Sequence, residues 1–371
     1  MAERQRLSVA VLTKNEEARI ARCLESVRWA DELVVVDGLS TDRTVEIAQR
    51  FGARVVSHPF EGSFATERNL GSAAATGDWV LHLDADDVVT PEFRVLVERL
   101  LQRPQPHAAF KFRRKSYLLG HFMRHGGWHH YLPNLVRREA VRYEGIVHER
   151  PVLQGTIGRL DADVEHHPCE DLRAFLDRHN RYTTLAAQEL VATLGRPPHQ
   201  TWESSPFGIV WCGGWFDERT IRRRLLRKPW KTWWKSYVKK QGFREGMHGL
   251  VFSIFFAGVE LIKWAKYWEL CRPAGSVPMA LAQVIAEQND ETSVKARQLF
   301  ERQGRVPTRR LVYQLTWQPM KRFWTSSRTP QGHGHGTDEL VLALLKAFVH
   351  VMFWAKYWEL TRVSPGHTPK A

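Results

Sequence analysis

From Leu7 to Asp87, short apolar runs alternate with segments of helical spacing, and most of the runs end in a cluster of polar residues. Residues 7–12 (Leu-Ser-Val-Ala-Val-Leu), 32–36 (Glu-Leu-Val-Val-Val), 55–56 and 79–83 (Trp-Val-Leu-His-Leu) predict strands. Between them, residues 16–28 (Ile20, Leu24, Val27 in register), 42–51 (Val45, Ile47, Ala48 inward) and 66–75 predict helices. Strands joined through single helices need crossover connections and so pair in parallel, the pattern of an α/β domain. Ligands of such sheets bind beyond the carboxyl ends of the strands. The polar clusters Thr13 to Glu16, Asp37 to Asp42 and Asp84 to Asp87 fall at those ends. The alternation weakens after about residue 105, a mixed region runs to about 168, and the rest reads as helical and basic.

The 371 residues suffice for two domains and a sizeable core. A net charge of +14 points to anionic partners: nucleic acid, phosphorylated substrates or anionic lipid. The 15 Trp favour a membrane interface, where an amphipathic ring sits at headgroup level. The four cysteines, Cys23, Cys169, Cys212 and Cys271, lie far apart without a Cys-x-x-Cys pair. That argues against a zinc ribbon or a disulfide framework and fits a reducing compartment. The polar opening Met1 to Arg6 leads directly into the first strand, so no signal peptide is visible and a cytoplasmic N-terminal half is expected.

Between Arg219 and Arg244 lie eleven basic residues and no acid, interleaved with Trp230, Trp233, Trp234, Tyr237 and Phe243. The uninterrupted apolar stretch that follows, Leu250 to Val259, falls short of the roughly 20 residues a span needs. The combination predicts a helix lying in an anionic membrane surface, attached peripherally at the cytoplasmic face of the inner membrane.

The sequence WAKYWEL occurs at 264–270 and again at 354–360, an offset of 90. The same offset aligns Pro229 with Pro319, Lys231 with Lys321, Trp234 with Trp324 and Gly246 with Gly336. An offset of 109 pairs Gly195-Arg196 with Gly304-Arg305, so residues from about 280 to 362 read as a shorter copy of about 179 to 272. Expected boundaries are therefore 1–168, 169–272 and 273–371. The copy has lost much of the basic run, since Lys239-Lys240 correspond to Thr329-Pro330. Its Leu340 to Leu345 run and Trp354, Tyr357 and Trp358 predict a second, mainly hydrophobic anchor; the alternative is a tail helix packed on the first copy as ordinary core. His333-Gly334-His335-Gly336 reads as a polar linker in preference to a metal site.

The densest chemistry is Leu83-Asp84-Ala85-Asp86-Asp87 at the end of an apolar strand. Carboxylates one residue apart at a strand end suit a divalent cation carrying a diphosphate, and a solvated turn is the plain alternative.

Ser8 to Glu17 (SVAVLTKNEE), Glu32 to Thr44 (ELVVVDGLSTDRT), Arg68-Asn69 and Gly77 to Asp87 (GDWVLHLDADD) together resemble the successive blocks of family 2 glycosyltransferases with the GT-A fold. The subgroup they resemble most is the lipopolysaccharide-core glucosyltransferase type. Gly126-Gly127-Trp128, Tyr143 to Glu149 (YEGIVHE), His166 to Pro168 and Asn180 to Tyr182 continue the pattern to about residue 272. The resemblance implies an α/β, Rossmann-like nucleotide-sugar-binding domain followed by a helical, basic, Trp-rich membrane-associating region; the duplicated tail lies outside it. It implies that Thr13, Asn15 and Glu16 line the nucleotide, that Asp37 accepts a hydrogen bond from the base, and that Arg68 lies near base or phosphate. Asp84 would face ribose or metal, and Asp86 would bind a divalent metal, Mn²⁺ or Mg²⁺. His166 is a further candidate ligand, with His167 as fallback. Glu149 would take the acceptor hydroxyl proton in an inverting transfer. Trp128 would stack on a sugar face or serve in the core. Leu39 departs from the small residue the family has in this turn, and a positive φ there would strain it.

The implied activity is transfer of a hexose, glucose from UDP-glucose first, to a saccharide or lipid-linked acceptor of the cell envelope. Transfer to a protein or a lipid phosphate is the alternative within enzymes. A catalytically silent protein holding RNA or acidic polymer through its basic region is the rival class. The basic residues sit beside an apolar helix and no RNA module is recognisable, which argues against nucleic acid as the partner.

Overall fold

The computed structural model describes residues 4–144, 150–194, 217–272, 279–326 and 336–362. Glu149, His148, His333 and His335 lie outside them. The chain divides into two compact units, Met1–Pro168 and Cys169–Ala371.

In the first unit the elements run β1 (Leu7–Thr13), α1 (Ile20–Ser26), β2 (Glu32–Asp37), α2 (Thr44–Arg50), β3 (Arg54–Ser57), α3 (Phe64–Ala74) and β4 (Trp79–Asp84). β5 (Asp87–Val89), α4 (Pro91–Leu101), β6 (Ala109–Leu118), β7 (His121–Phe122), β8 (His130–Arg137), β9 (Val141–Glu144), β10 (Arg150–Leu153) and β11 (Ile157–His166) follow. The main sheet has the order β3-β2-β1-β4-β8-β6-β11-β5. β3, β2, β1 and β4 are parallel, as their crossover helices require. β8 runs antiparallel between β4 and β6, and β11 is parallel to β6. β1 and β4 are buried along nearly their whole length, because helices cover the parallel half of the sheet. Val9, Val11, Leu81 and Leu83 share one core with Ile20, Leu24, Phe93 and Phe112. Local signals set the helix starts: Ser63 accepts from Thr66 N before α3, and Thr90, followed by Pro91, accepts from Phe93 N before α4. The strand order reverses beside β1, so the crevice between the ends of β1 and β4 is the switch point where α/β sheets bind ligands.

The second unit consists of α5 (Leu172–Leu194), α6 (Glu218–Trp233), α7 (Gly246–Cys271), α8 (Leu281–Gln303), α9 (Thr308–Ser326) and α10 (Thr337–Leu360). A π turn (Trp234–Lys239) and a 3-10 turn (Gly242–Glu245) join α6 to α7. Both α6 and α9 carry an internal proline, Pro229 and Pro319, at matching places in the two copies. Two findings correct the sequence-based expectations. The helix containing Leu250 to Val259 is far longer than that apolar run, so Gly242–Cys271 and Thr337–Leu360 are each long and apolar enough to cross a membrane. Half or more of each apolar window, 50% and 61%, is nevertheless buried within the protein. The tail aromatics expected to anchor, Trp354, Tyr357 and Trp358, are buried, as are Trp264, Tyr267 and Trp268 in the first copy. The tail helix is thus a core element, and among the described residues the exposed aromatics are Trp230, Trp234 and Phe243 in the first copy and Tyr313, Trp317 and Trp324 in the second.

Leu39, in the turn after β2, has φ +62° and a half-exposed side chain. A Cβ is strained in the left-handed region and nothing buried compensates. Leu39→Gly is expected to raise the unfolding free energy of the chain by about 0.5–1 kcal/mol, and Leu39→Ala to give no comparable gain. Chemical denaturation of the two variants beside the parent checks this; equal stability of Gly and Ala variants would refute it.

Candidate active site

The loops after β1 and β2 are tied to each other. Thr13, the buried last residue of β1, pairs in register with Asp37, the buried last residue of β2. The Asp37 carboxylate accepts from Ser40 N at 2.9 Å and from Ser40 Oγ at 2.5 Å. Asn15, itself at φ +54°, donates its N–H to Ser40 Oγ and accepts from Thr41 N, both at 2.8 Å. Glu16 N–H donates to Thr44 Oγ1 at 2.8 Å, while the Glu16 carboxylate meets Arg19 at 2.5 Å. Thr13, Asn15, Glu16 and Asp37 are therefore brought together on one rim, at the carboxyl ends of β1 and β2.

At the next strand end, Asp84 closes β4 opposite Leu12. Its Oδ1 accepts from Arg68 at 3.1 Å and its Oδ2 from Arg114 at 2.6 Å. Arg68 comes from α3, is buried, and lies 5.8 Å from the centre of the Tyr143 ring. Its neighbour Asn69 exchanges two 2.9 Å hydrogen bonds with the backbone of Tyr143, fixing β9 to α3. Arg114 also reaches Asp87 Oδ1 at 2.8 Å and Asp86 Oδ1 at 3.5 Å. Burial alone would raise the Asp84 pKa, but Arg114 and Arg68 outweigh it and hold the carboxyl at about 2. Asp87 goes the other way: burial, with Asp84 and Asp86 beside it, exceeds the help from Arg114 and pushes it up to about 7. The guanidinium of Arg114 is correspondingly held more basic than usual.

His166 enters the same place from the end of β11. Register sets it opposite Asp87 across the β11–β5 pair and opposite Ser116 across the β11–β6 pair. Ser116 Oγ lies 3.0 Å from His166 Nδ1, and Nε2 lies 3.6 Å from Asp86 Oδ1. Asp86, Asp87 and His166 offer ligand atoms that all lie within 4.8 Å of one another, and all three residues are buried. His167 turns elsewhere: its ring stacks on Tyr117 at 4.6 Å and its Nε2 meets Glu165 at 3.3 Å. Trp128, half-buried after Gly126 and Gly127 at φ +86° and +95°, sets its ring edge-on to His166 at 6.0 Å.

The sequence-chosen residues Asp84, Asp86, Arg68 and His166 thus converge, with Asp84 held by arginines and Asp87 in the place nearest Asp86 and His166. Glu149 is outside the described residues; the strands flanking it pair from Glu144 to Arg150. Arg114 and Ser116 were not singled out by sequence, and Asp87 and Asn69 were quoted within motifs but given no role. The only signal for Arg114 was a basic Arg113-Arg114-Lys115 run inside a strand, which ordinarily reads as a solvated face.

Residues 8–153 match the family model of glycosyl transferase family 2. An uncharacterized glycosyltransferase of Rickettsia typhi is 25% identical over 282 residues, covering 72% of this chain and 88% of that protein. The lipopolysaccharide core biosynthesis glycosyltransferase LpsC of Rhizobium meliloti is 28% identical over 209 residues, 52% of this chain and 74% of that protein. An uncharacterized glycosyltransferase of Rickettsia felis is 39% identical over 95 residues, and this chain spans only 33% of its length. Among solved structures, glucosyl-3-phosphoglycerate synthase from Mycobacterium tuberculosis, in complex with Mn²⁺, uridine diphosphate and phosphoglyceric acid, is 20% identical with a TM-score of 0.36. The likeness covers 52% of this chain and 80% of that one, too loose a superposition to carry an argument. The family match spans the parallel strands, the acidic turn and the loops described above, so residues 8–153 carry a glycosyl transferase family 2 domain, built on a GT-A-type α/β unit.

Proposed function

We propose that this chain is an inverting glycosyltransferase moving a hexose from a nucleotide-diphosphate donor, UDP-glucose first, to a saccharide or lipid-linked acceptor in lipopolysaccharide-core-type synthesis. The observation that carries the reading is the acidic turn at the switch point, where Asp86, Asp87 and His166 converge beside arginine-held Asp84. The likeness to LpsC supports the choice of envelope glycan.

Two carboxylates and an imidazole form a donor set that fits Mn²⁺, and Mg²⁺ with water completing its shell. Asp86 and His166 would hold the metal, with Asp87 beside them; Asp84 would join when an arginine releases it, or face the ribose. The Ser116 hydroxyl at Nδ1 orients the imidazole so that Nε2 faces Asp86. When bound, the metal supplies positive charge against the diphosphate leaving group. Asp37, Thr13, Asn15 and Glu16 are proposed to line the base and ribose, with Asp37 accepting from a base N–H. Arg68 is proposed to sit beside the base or a phosphate. Glu149 is assigned the acceptor hydroxyl proton, and Trp128 a sugar face. The exposed Trp230 and Trp234, among Lys231, Lys235, Lys239 and Lys240 that are exposed as well, are proposed to dock on anionic lipid at the cytoplasmic face.

Asp86→Asn is expected to keep the fold while transfer falls by about 10²-fold or more, since a charge opposing the leaving group is lost. Undiminished transfer in that variant, or by the parent in EDTA, would sink the metal assignment. Glu149→Gln should lower single-turnover transfer by about 10²–10⁴-fold and leave calorimetric nucleotide affinity unchanged, because only the proton-accepting step is touched. Equal losses in both measurements would make Glu149 a donor contact or a structural residue.

For attachment, flotation with anionic liposomes is the measurement. Each basic residue near such a surface contributes on the order of 1 kcal/mol. Replacing Lys228, Lys231, Lys235, Lys239 and Lys240 by Gln should weaken flotation and flatten its salt dependence. A five-Gln variant that floats like the parent at every salt concentration overturns the electrostatic anchor.

A further inference from the structure

The two helical copies meet in a way that the repeat alone does not dictate. Within each copy a buried lysine of the WAKYWEL segment fastens the first helix. Lys266 Nζ donates to Asn180 O at 2.5 Å, Asn180 Oδ1 at 2.6 Å, Thr184 Oγ1 at 2.7 Å and Thr183 Oγ1 at 3.1 Å. Lys356 repeats the pattern on Asn289 O and Oδ1, Ser293 Oγ at 2.8 Å and Thr292 Oγ1 at 3.0 Å. The matched pairs in the α5 and α8 helices stand 109 residues apart, those in α7 and α10 stand 90 apart.

Between the copies several contacts come in mirrored pairs, although the Arg173–Asp290 ion pair does not, its counterparts being Ala282 and Arg181. Asn180 Nδ2 donates to Ala282 O at 2.8 Å, and Asn289 Nδ2 donates to Arg173 O at 3.0 Å. The Glu269 carboxylate accepts from Leu281 N at 3.2 Å, at the start of α8. The Glu359 carboxylate accepts from Leu172 N at 3.1 Å, at the start of α5. Each copy therefore places an acid on the exposed N–H groups of the other copy's first helix. Trp268 Nε1 donates to Asp338 at 2.6 Å, and Trp358 sets its ring edge-on to His248 at 5.1 Å. These pairs join the end of one long helix to the start of the other, so α7 and α10 cross antiparallel. At the crossing, Gly258 faces Phe348, its own counterpart at the offset of 90, and any Cβ at 258 would collide with that ring.

Residue i touching j′ while j touches i′ is the signature of an isologous two-fold interface. We infer that the tail, residues 281–362, is the built-in partner of residues 172–271: one chain supplies both halves of an interface that otherwise joins two copies of a chain. The central position identifies the occupant. Two identical first copies would set Gly258 against Gly258 and leave the space of a phenyl ring empty; two tails would set Phe348 against Phe348. Only the mixed pair fills the crossing, so the first copy is shaped for this chain's own tail and not for a second first copy. The inference stands apart from the sugar-transfer reading and survives its failure.

The test uses the full chain with a protease site inserted between Arg272 and Met279. Cleaved in its folded state, in the buffer or detergent that keeps the parent soluble, the protein should yield two pieces that co-elute on size exclusion and part only in denaturant. A tail that elutes separately without denaturant overturns the inference. Gly258→Phe should weaken co-elution by about tenfold or more through overpacking. The exchange variant, Gly258→Phe with Phe348→Gly, puts the same ring in the same space from the other copy, and co-elution should return to within about threefold of the parent. An exchange variant no better than Gly258→Phe, or a Gly258→Phe variant that holds its tail like the parent, refutes the two-fold relation. If Gly258→Phe does not fold, the cleaved parent and the exchange variant still decide.

Discussion

Arg114 reaches from the middle of β6 to the end of β4 and brings one guanidinium within 3.5 Å of three aspartates. Without it, Asp84, Asp86 and Asp87 would crowd like charges into one buried turn, where each would raise the pKa of the others. With it, the carboxylates separate into unequal states: Asp84 held at about 2, Asp87 pushed up to about 7. The turn in its own right is stapled by the N–H of Asp84 donating to Asp87 at 3.0 Å. The parallel and antiparallel halves of the sheet are thus locked at the switch point by a charge cluster as well as by the β4–β8 ladder. Counting Arg68, two cations face three carboxylates there, so once Asp87 is deprotonated the cluster has a negative excess that a divalent ion would complement.

The parallel half of this site was legible in the sequence for a simple reason. Strands buried on both faces must be apolar throughout, so β1, β2 and β4 announce themselves as short runs with polar ends. Asp37 and Asp84 are legible because they are the first polar residues after such runs. The antiparallel half hides its chemistry. β6 reads Ala-Phe-Lys-Phe-Arg-Arg-Lys-Ser-Tyr-Leu, in which Arg114 and Ser116 look like a solvated face next to Arg113 and Lys115. Their inward role depends on β11 lying beside β6, a pairing 48 to 50 residues apart in sequence that no local pattern encodes. His166 was reachable only through the family resemblance, and the choice between His166 and His167 needed the register that sets the first against Asp87 and lets the second stack on Tyr117.

The helical unit shows the opposite balance. The identity of WAKYWEL exposed the duplication at once, yet its meaning was misread, because a run of Trp and Tyr suits a membrane interface and a core equally well in sequence. The lysine in its centre is what distinguishes them. Lys266 and Lys356 are buried, and burial lowers both ammonium groups to about 8, so each must be surrounded by acceptors to be tolerated at all. Asn180-x-x-Thr183-Thr184 and Asn289-x-x-Thr292-Ser293 supply them from the first helix of each copy. Those acceptors recur at 109 and the lysines at 90, so the motif is split across two offsets and cannot be seen as one repeat.

What the two copies retain and lose also separates packing from surface function. Core positions must be kept for the fold, and the buried Trp264, Trp268, Trp354 and Trp358 need no other explanation. Exposed positions are under no such demand, yet Trp234 and its counterpart Trp324 are both exposed, at 50% and 56%. Trp230 corresponds to Met320, again apolar and again exposed. Meanwhile most of the cations beside them diverged: Lys231 keeps its counterpart Lys321, but Lys235, Lys239 and Lys240 correspond to Thr325, Thr329 and Pro330 at the same offset. Water penalises exposed Trp and Met and rewards exposed Lys, so drift for solubility alone would run the other way. Keeping the aromatics while thinning the charge is what the proposed membrane docking predicts, with an apolar contact at both copies and an anionic one chiefly at the first.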